Sequence, residues 1–193
     1  MAKKIFLGAL ILILLISAAF SYSQAIKRVV VYDDKDGVYV PSGFMGDANA
    51  VKLDNRCTER PHSGTYCQKW TYDVTKSQND KWAGVYWQYP PNNWGKKKGY
   101  DLRGIKKLTF WAKGEKGGEC ISIKIGGIKE ENADALNIEY GKIRLTILWK
   151  QYTINLYQYQ KDLSSVVGGF CWSVDSNDNP QGCVFYLDDI VYE

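Results

Sequence analysis

Histidine and methionine are nearly missing from this chain: 193 residues contain one His, His62, and two Met. No G-x-S-x-G, no HExxH and no Ser, His and Asp set is present, so the familiar nucleophilic and zinc-hydrolase arrangements are excluded. No Cys-x2-Cys spacing occurs and only His62 is available to assist, which argues against a structural zinc site as the alternative use of the cysteines. No long amphipathic pattern and no internal repeat is evident, which argues against a helical bundle, a propeller or a solenoid. Charge is also scarce in the net sense. The formal charge is +4, and Lys3 and Lys4 supply two of those charges in the leader described next. A residue near +2 is too weak a bias to imply a nucleic-acid partner.

The one long apolar run is Ile5 to Phe20, IFLGALILILLISAAF, which follows the two lysines and ends near Ser23-Gln24-Ala25. A basic start, an apolar centre and small residues at the exit make a secretory signal peptide, predicted over 1–25; the run is short and wrongly flanked for a membrane span, which leaves a retained anchor as the minority reading. Cleavage after Ser23 fits the small-residue spacing equally. No Cys follows the run, so lipidation there is not expected. The expected product is secreted or at the cell surface, with no stable membrane insertion after cleavage. About 168 residues remain, the size of one domain, 26–193.

All five cysteines lie in the exported part, where disulfides persist. Cys57 and Cys67 flank TERPHSGTY, and Cys171 and Cys183 flank WSVDSNDNPQG. Each pair is predicted to staple a loop, contributing about 2–4 kcal/mol in the chain-entropy account. Cys120 is left over, as a buried thiol, a partner of Cys171 in another connectivity, or a bridge between chains.

The rest reads as strands separated by Gly, Asn, Asp, Ser and Pro clusters. Ile26 to Tyr32, Gly37 to Pro41, Gly64 to Val74, Trp82 to Tyr89, Leu108 to Lys113 and Cys120 to Ile125 are candidates. Ile143 to Trp149, Tyr152 to Leu156, Gly169 to Trp172 and Cys183 to Tyr192 follow. Asn132 to Ile138 is expected to form one turn or a short helix, and Leu156 to Val167 is ambiguous. So many short strands in one domain predict an all-β, two-sheet antiparallel sandwich of the jelly-roll kind.

The segments YDD (32–34), WAGVYWQYPPNNWG (82–95), DLRGIKKLTFWAKGEKGG (101–118), WKQYTINL (149–156), DLSSVVGGFCW (162–172) and FYLDDIVYE (185–193) run in an order that resembles the β-jelly-roll carbohydrate-binding modules of the galactose-binding-domain type. That resemblance implies a non-catalytic domain whose partner is a polysaccharide or cell-surface glycan.

Seven Trp and fourteen Tyr exceed what a core of this size needs. Sugar rings present apolar C–H faces on which an exposed Trp or Tyr stacks. In a strand from Trp82 to Tyr89, residues 83, 85, 87 and 89 share one face and 82, 84, 86 and 88 the other. One set fills the core. Trp87, Tyr89 and Trp94 are placed ahead of Tyr86 as ligand contacts, because the first two share a face continuous with the polar exit Pro-Pro-Asn-Asn-Trp. If Leu108, Phe110 and Ala112 point inward, Trp111 points to an open sheet face with Thr109 and Lys113. Trp172 is the fifth candidate, beside Cys171 and the loop from Asp175 to Gly182.

Clustered carboxylates suggest one structural calcium ion. Asp33 and Asp34 end the first strand, Asp188 and Asp189 lie in the last, and the resemblance implies that Asp188 is a ligand, with Asp33 or Asp34 as partner. The loop Asp175, Asn177, Asp178, Asn179 lacks the Gly and Glu of an EF-hand. Glu130, Glu131, Asp134 and Glu139 are the carboxylates available to a hydrolase or lyase, but they suit a polar loop better. The alternative is an extracellular structural protein that self-associates through its exposed aromatics and Cys120.

Overall fold

The computed structural model describes residues 27–159 and 162–193, so the leader predicted over 1–25 lies outside the described residues. Twelve strands account for nearly all of the regular structure: β1 (Val29–Asp33), β2 (Lys35–Asp36), β3 (Val40–Gly46), β4 (Val51–Cys57), β5 (Cys67–Tyr72), β6 (Trp82–Gln88), β7 (Lys107–Gly114), β8 (Cys120–Gly126), β9 (Asn137–Arg144), β10 (Lys150–Asn155), β11 (Gly168–Asp175) and β12 (Cys183–Tyr192). Three single turns of 3-10 helix are the remaining elements among the described residues. No described helix is long and apolar enough to cross a membrane.

The strands form two antiparallel sheets, one of seven strands and one of five, packed as a sandwich, as expected. The five-stranded sheet runs β3-β6-β11-β8-β9. In the seven-stranded sheet β12 pairs with β7 along one edge, and along the other it pairs first with β5 and then with β1. The change of partner coincides with an irregularity between Asp188 and Val191, where Asp189 takes a φ of 45°. A fork in a sheet leaves backbone donors that need acceptors, and this one is where the carboxylates of Asp188 and Asp189 sit.

Alternation fixes what each strand buries. Leu108, Phe110 and Ala112 of β7 face the core, with Trp70 and Tyr72 of β5 and Phe185 and Leu187 of β12 on the same side. Three tryptophans form the centre: Trp70 meets Trp87 edge-on at 5.4 Å between ring centroids and Trp172 at 4.9 Å. Phe170 packs on Trp87 at 5.2 Å and Phe185 on Trp172 at 5.0 Å. Edge-to-face pairs of this kind are worth about 0.5–1.5 kcal/mol beyond the area they bury.

Two elements differ from the sequence expectation. Val51–Cys57 is a strand that the charged residues Lys52, Asp54 and Arg56 disguise; Val51 and Leu53 point inward opposite Tyr72 and Trp70. Asn137–Arg144 is a strand where a short helix was expected up to Ile138, and the expected strand from 143 shrinks to its end. Glycine at 141, with φ of 96°, allows the register shift that β9 needs to stay paired with β8.

All five cysteines are free and buried. The predicted Cys171–Cys183 staple is corrected: Cys171 packs with Tyr86, Ile128 and Val167 on the outer side of the five-stranded sheet, whereas Cys183 lies in the central core on β12 of the other sheet. Cys57 and Cys67 stand directly opposite each other at the end of the β4–β5 ladder, as thiols.

Candidate functional site

Trp87 and Trp172 are 0 % exposed and belong to the central tryptophan cluster. Their assignment as sugar contacts is therefore corrected, because a ring covered on both faces has none to offer. Tyr89 is half-buried and joins Tyr39 and Tyr100 in an edge-on cluster at 6.2 and 5.2 Å, on the same inward side as Trp87. The phase of β6 is thus the reverse of the one expected: Ala83, Val85 and Trp87 fill the core, and Trp82, Gly84, Tyr86 and Gln88 look outward.

The outer face of the five-stranded sheet has a floor of small residues. Across the strands, Met45 lies opposite Gly84, Gly84 opposite Ser173, Ser173 opposite Ser122, and Ser122 opposite Lys142. The neighbouring row runs Gly43, Tyr86, Cys171, Lys124 and Glu139. A side chain at Gly84 would come within 3.0 Å of the Ser173 Cβ and 2.9 Å of the Trp172 carbonyl oxygen, so the floor stays low because it must. Trp82 and Tyr86, four positions apart on β6, bracket Gly84 at a spacing of about 13 Å along the strand.

Trp94 stands over one end of this face. Its ring meets Tyr86 edge-on at 6.1 Å and is 38 % exposed. The loop that carries it is held by buried Asn93, whose Nδ2 donates to the carbonyls of Tyr89 (3.0 Å) and Lys97 (2.8 Å) and whose Oδ1 accepts from the N–H groups of Gly95 and Lys97 at 3.1 Å each. Asn132 donates its backbone N–H to the Gly95 carbonyl at 2.7 Å and ties the same loop to the next. All four capacities of the Asn93 amide are used, so the indole is presented from a fixed backbone rather than a loose one.

Three basic groups of β8 and β9 are paired on this side. Lys142 bonds Asp178 and, at 3.3 Å, Asp175. Arg144 reaches Asp178 at 3.9 Å, and Lys124 reaches Glu139 at 4.0 Å. The hydrogen bond from Lys142 holds the Asp178 carboxyl below the usual carboxylate range, and burial pushes the Cys171 thiol up to about 12. The face offers hydroxyl, amide and paired ionic groups beside one exposed ring. It carries no group poised as a nucleophile.

The opposite face of the sandwich carries Trp111, whose outward direction is as expected, but it is covered. Residues 58–66 fold over it and His62 lies flat on the indole, 3.6 Å between centroids at 17°. Trp149 stands edge-on to the same imidazole at 6.1 Å and donates its Nε1–H to the Arg60 carbonyl at 2.9 Å. Next to it Tyr186 is buried under Lys69, Lys113 and Trp149, with its hydroxyl within hydrogen-bonding reach of both the Glu59 and the Glu115 carboxylate. His62, the chain's one histidine, is the cap of this face.

The carboxylates expected to hold calcium are committed to the same loop. Asp188 Oδ2 accepts the backbone N–H of His62 at 2.9 Å and of Ser63 at 3.3 Å, while Oδ1 accepts that of Asp189 at 2.9 Å. Asp189 takes His62 Nδ1 at 2.7 Å and the Ser63 hydroxyl at 2.9 Å. Asp34 accepts from the N–H groups of Thr65 and Tyr66 at 2.8 Å each, and Asp33 pairs with Arg28 at 3.3 Å. Oxygens that face N–H donors do not fit a cation, and no group of three or more His, Cys, Asp or Glu poised for a metal occurs among the described residues. Burial, reinforced by the neighbouring Asp189, raises Asp188 to about 6.

Two of the carboxylates named for a hydrolase are committed to other partners. Asp134 is half-buried and accepts the N–H groups of Ile128, Val167 and Gly168, and Glu139 pairs with Lys124. A glycosidase needs two carboxyl groups across a cleft with room for a sugar between them. Asp134 is instead a structural acceptor that ties the β8–β9 connection to the entry of β11.

No protein-family model matches the sequence, and no curated protein matches it. Solved structures do. A family 30 carbohydrate-binding module superposes with a TM-score of 0.60 at 17 % identity, covering 86 % of this chain and 98 % of that one. The family 30 carbohydrate-binding module of a cellulosomal cellulase of Clostridium thermocellum gives 0.58 at 19 % identity, covering 86 % and 97 %. At these identities the likeness establishes the fold: this chain has the jelly-roll sandwich architecture of family 30 carbohydrate-binding modules.

Proposed function

We propose that this protein is a secreted, non-catalytic binder of an uncharged polysaccharide, and that the ligand lies on the outer face of the five-stranded sheet against Trp94. The observation that carries the reading is the exposed, rigidly presented Trp94 ring at the end of a low floor of glycine and serine, across which Lys124, Lys142 and Arg144 are paired with Glu139, Asp175 and Asp178. A flat apolar ring face meets the C–H face of a sugar, and the surrounding hydroxyls, amides and carboxylates meet its hydroxyl groups. Paired charges add little to the attraction of an anionic or cationic chain. Tyr86 braces Trp94 from beneath, and Trp82 marks the far end of the same face. The shared fold with family 30 carbohydrate-binding modules supports this reading as analogy, since a fold hosts many functions.

The test is binding of the purified protein to a panel of soluble and insoluble polysaccharides, at low and high salt, for the parent, Trp94→Ala and Trp111→Ala. Saturable binding that is insensitive to salt and weakened only by Trp94→Ala is the expected result. Binding unchanged by Trp94→Ala, or release of shortened products from the glycan, refutes the reading.

A second reading has its own observation. Ile147 and Leu148 are 60 % and 74 % exposed on adjacent positions of the loop before β10, and contiguous exposed apolar groups are contact surfaces. Self-association through this loop is tested by light scattering of the parent and of Leu148→Asp; a monomer at all concentrations removes it.

A further inference from the structure

Cys57 and Cys67 are register partners across β4 and β5, and among the described residues no other two cysteines are opposed in this way. Directly opposed residues of an antiparallel pair have Cα atoms about 4.5–5.5 Å apart, inside the span of about 4.4–6.8 Å that a disulfide bridges. Their side chains share the outer side of the seven-stranded sheet with Tyr186. The Cys67 thiol donates to the Cys57 carbonyl at 3.6 Å, and Cys57 Sγ accepts the Glu59 N–H at 3.4 Å. The two cysteines are also the two ends of the segment that caps Trp111.

We propose that Cys57 and Cys67 are a modification site, oxidised to a disulfide by exchange with a low-molecular-weight disulfide, and that this bond is a latch that keeps residues 58–66, with His62, on Trp111. One cysteine thiolate attacks the oxidant, releasing one small thiol and leaving a mixed disulfide. The second cysteine thiolate then displaces the other small thiol, so two protein thiols lose their protons, one S–S bond forms, and the oxidant is reduced to two thiols.

The segment is held by contacts that are individually modest: His62 and Ser63 N–H on Asp188, Ser63 Oγ on Asp189, Thr65 and Tyr66 N–H on Asp34, and the His62 ring on Trp111. With its ends free, the segment opens when these contacts break together. With its ends joined, opening is confined to a short closed loop. Both thiols are covered in the closed state, and burial pushes the Cys67 thiol up to about 12, so exchange runs through the open state and the finished bond is shielded from reductant. The latch stands whether or not the opposite face binds a glycan.

Protein refolded in reductant and then transferred to a glutathione redox buffer is the starting material. Peptide mapping after alkylation should find Cys57 joined to Cys67, with Cys120, Cys171 and Cys183 still alkylated on unfolding. Relative to the reduced protein, the oxidised form should show slower hydrogen exchange at the amides of 58–66 and a Tm higher by about 5–11 °C, from the closure of a loop of about ten residues. Dithiothreitol should cleave the bond faster in His62→Ala than in the parent. Persistence of both thiols under oxidising conditions overturns the proposal, as does a Cys57–Cys67 bond that leaves exchange of the 58–66 amides unchanged.

Discussion

Replacing Trp94 by Ala removes an exposed ring without opening the core, which makes its effect on binding calculable from its surroundings. A tryptophan side chain presents roughly 250 Å², and Trp94 leaves 38 % of its surface to solvent, or about 95 Å². If a bound sugar covers all of it, the lost apolar contact at about 25 cal/mol per Å² is about 2.4 kcal/mol; if it covers half, about 1.2 kcal/mol. At about 1.4 kcal/mol per decade these figures correspond to a weakening of about 7-fold to 50-fold in Kd. The Asn93 clamp bonds backbone groups on both sides of position 94 and does not involve the indole, so the loop keeps its shape in the variant. Isothermal titration, or depletion from solution by an insoluble polysaccharide, measures the change, and unfolding in denaturant confirms that the variant is folded. A loss smaller than twofold, with binding otherwise saturable, refutes the assignment of Trp94 as the stacking ring. An equal loss in Trp111→Ala would move the site to the other face.

The core assignment of Trp172 predicts a different signature: Trp172→Ala should cost about 3–5 kcal/mol in denaturant unfolding. Asp188 has a folded pKa of about 6 against an ordinary value of 3.8, so the folded state holds its proton more tightly than the unfolded state does. Its contribution to stability is therefore full below about pH 4 and fades as pH rises through about 6. The Tm of the parent minus that of Asp188→Asn should fall across this window and level off above it; a difference that rises or stays flat refutes the assignment. Because the oxygens of Asp188, Asp34 and Asp189 face N–H and O–H donors, millimolar calcium or a chelator should shift Tm by less than about 1 °C, and a larger upward shift with calcium would show that the carboxylates rearrange around an ion.

What could be read from sequence tracks how local the deciding contacts are. On β7 the contrast between Leu108, Phe110, Ala112 and Thr109, Lys113 is sharp, and the outward direction of Trp111 followed from alternation alone. On β6 both faces carry aromatics, so alternation separates the two sets without saying which is inside. Trp87 is inside because Trp70 on β5 and Phe170 on β11 meet it there, and those contacts join residues far apart in the chain. Spacing was equally uninformative for Cys171 and Cys183: eleven intervening residues suit a hairpin staple, but β11 and β12 belong to different sheets and the chain crosses the sandwich between them. The acidic clusters show the same limit in electrostatic form. Four aspartates, Asp33, Asp34, Asp188 and Asp189, at the two ends of a chain fit a cation until the partners are known. Three of those partners are backbone N–H groups of residues 62, 63 and 65, a segment whose sequence advertises only a turn. The fork in β12 that creates the demand for those acceptors is a property of strand order, and strand order is set by the packing of the two sheets rather than by any short stretch of residues. It follows that the covered state of Trp111 was beyond reach of the sequence even though its direction was not. The direction is decided within one strand, whereas the cover comes from a loop anchored to β1 and β12.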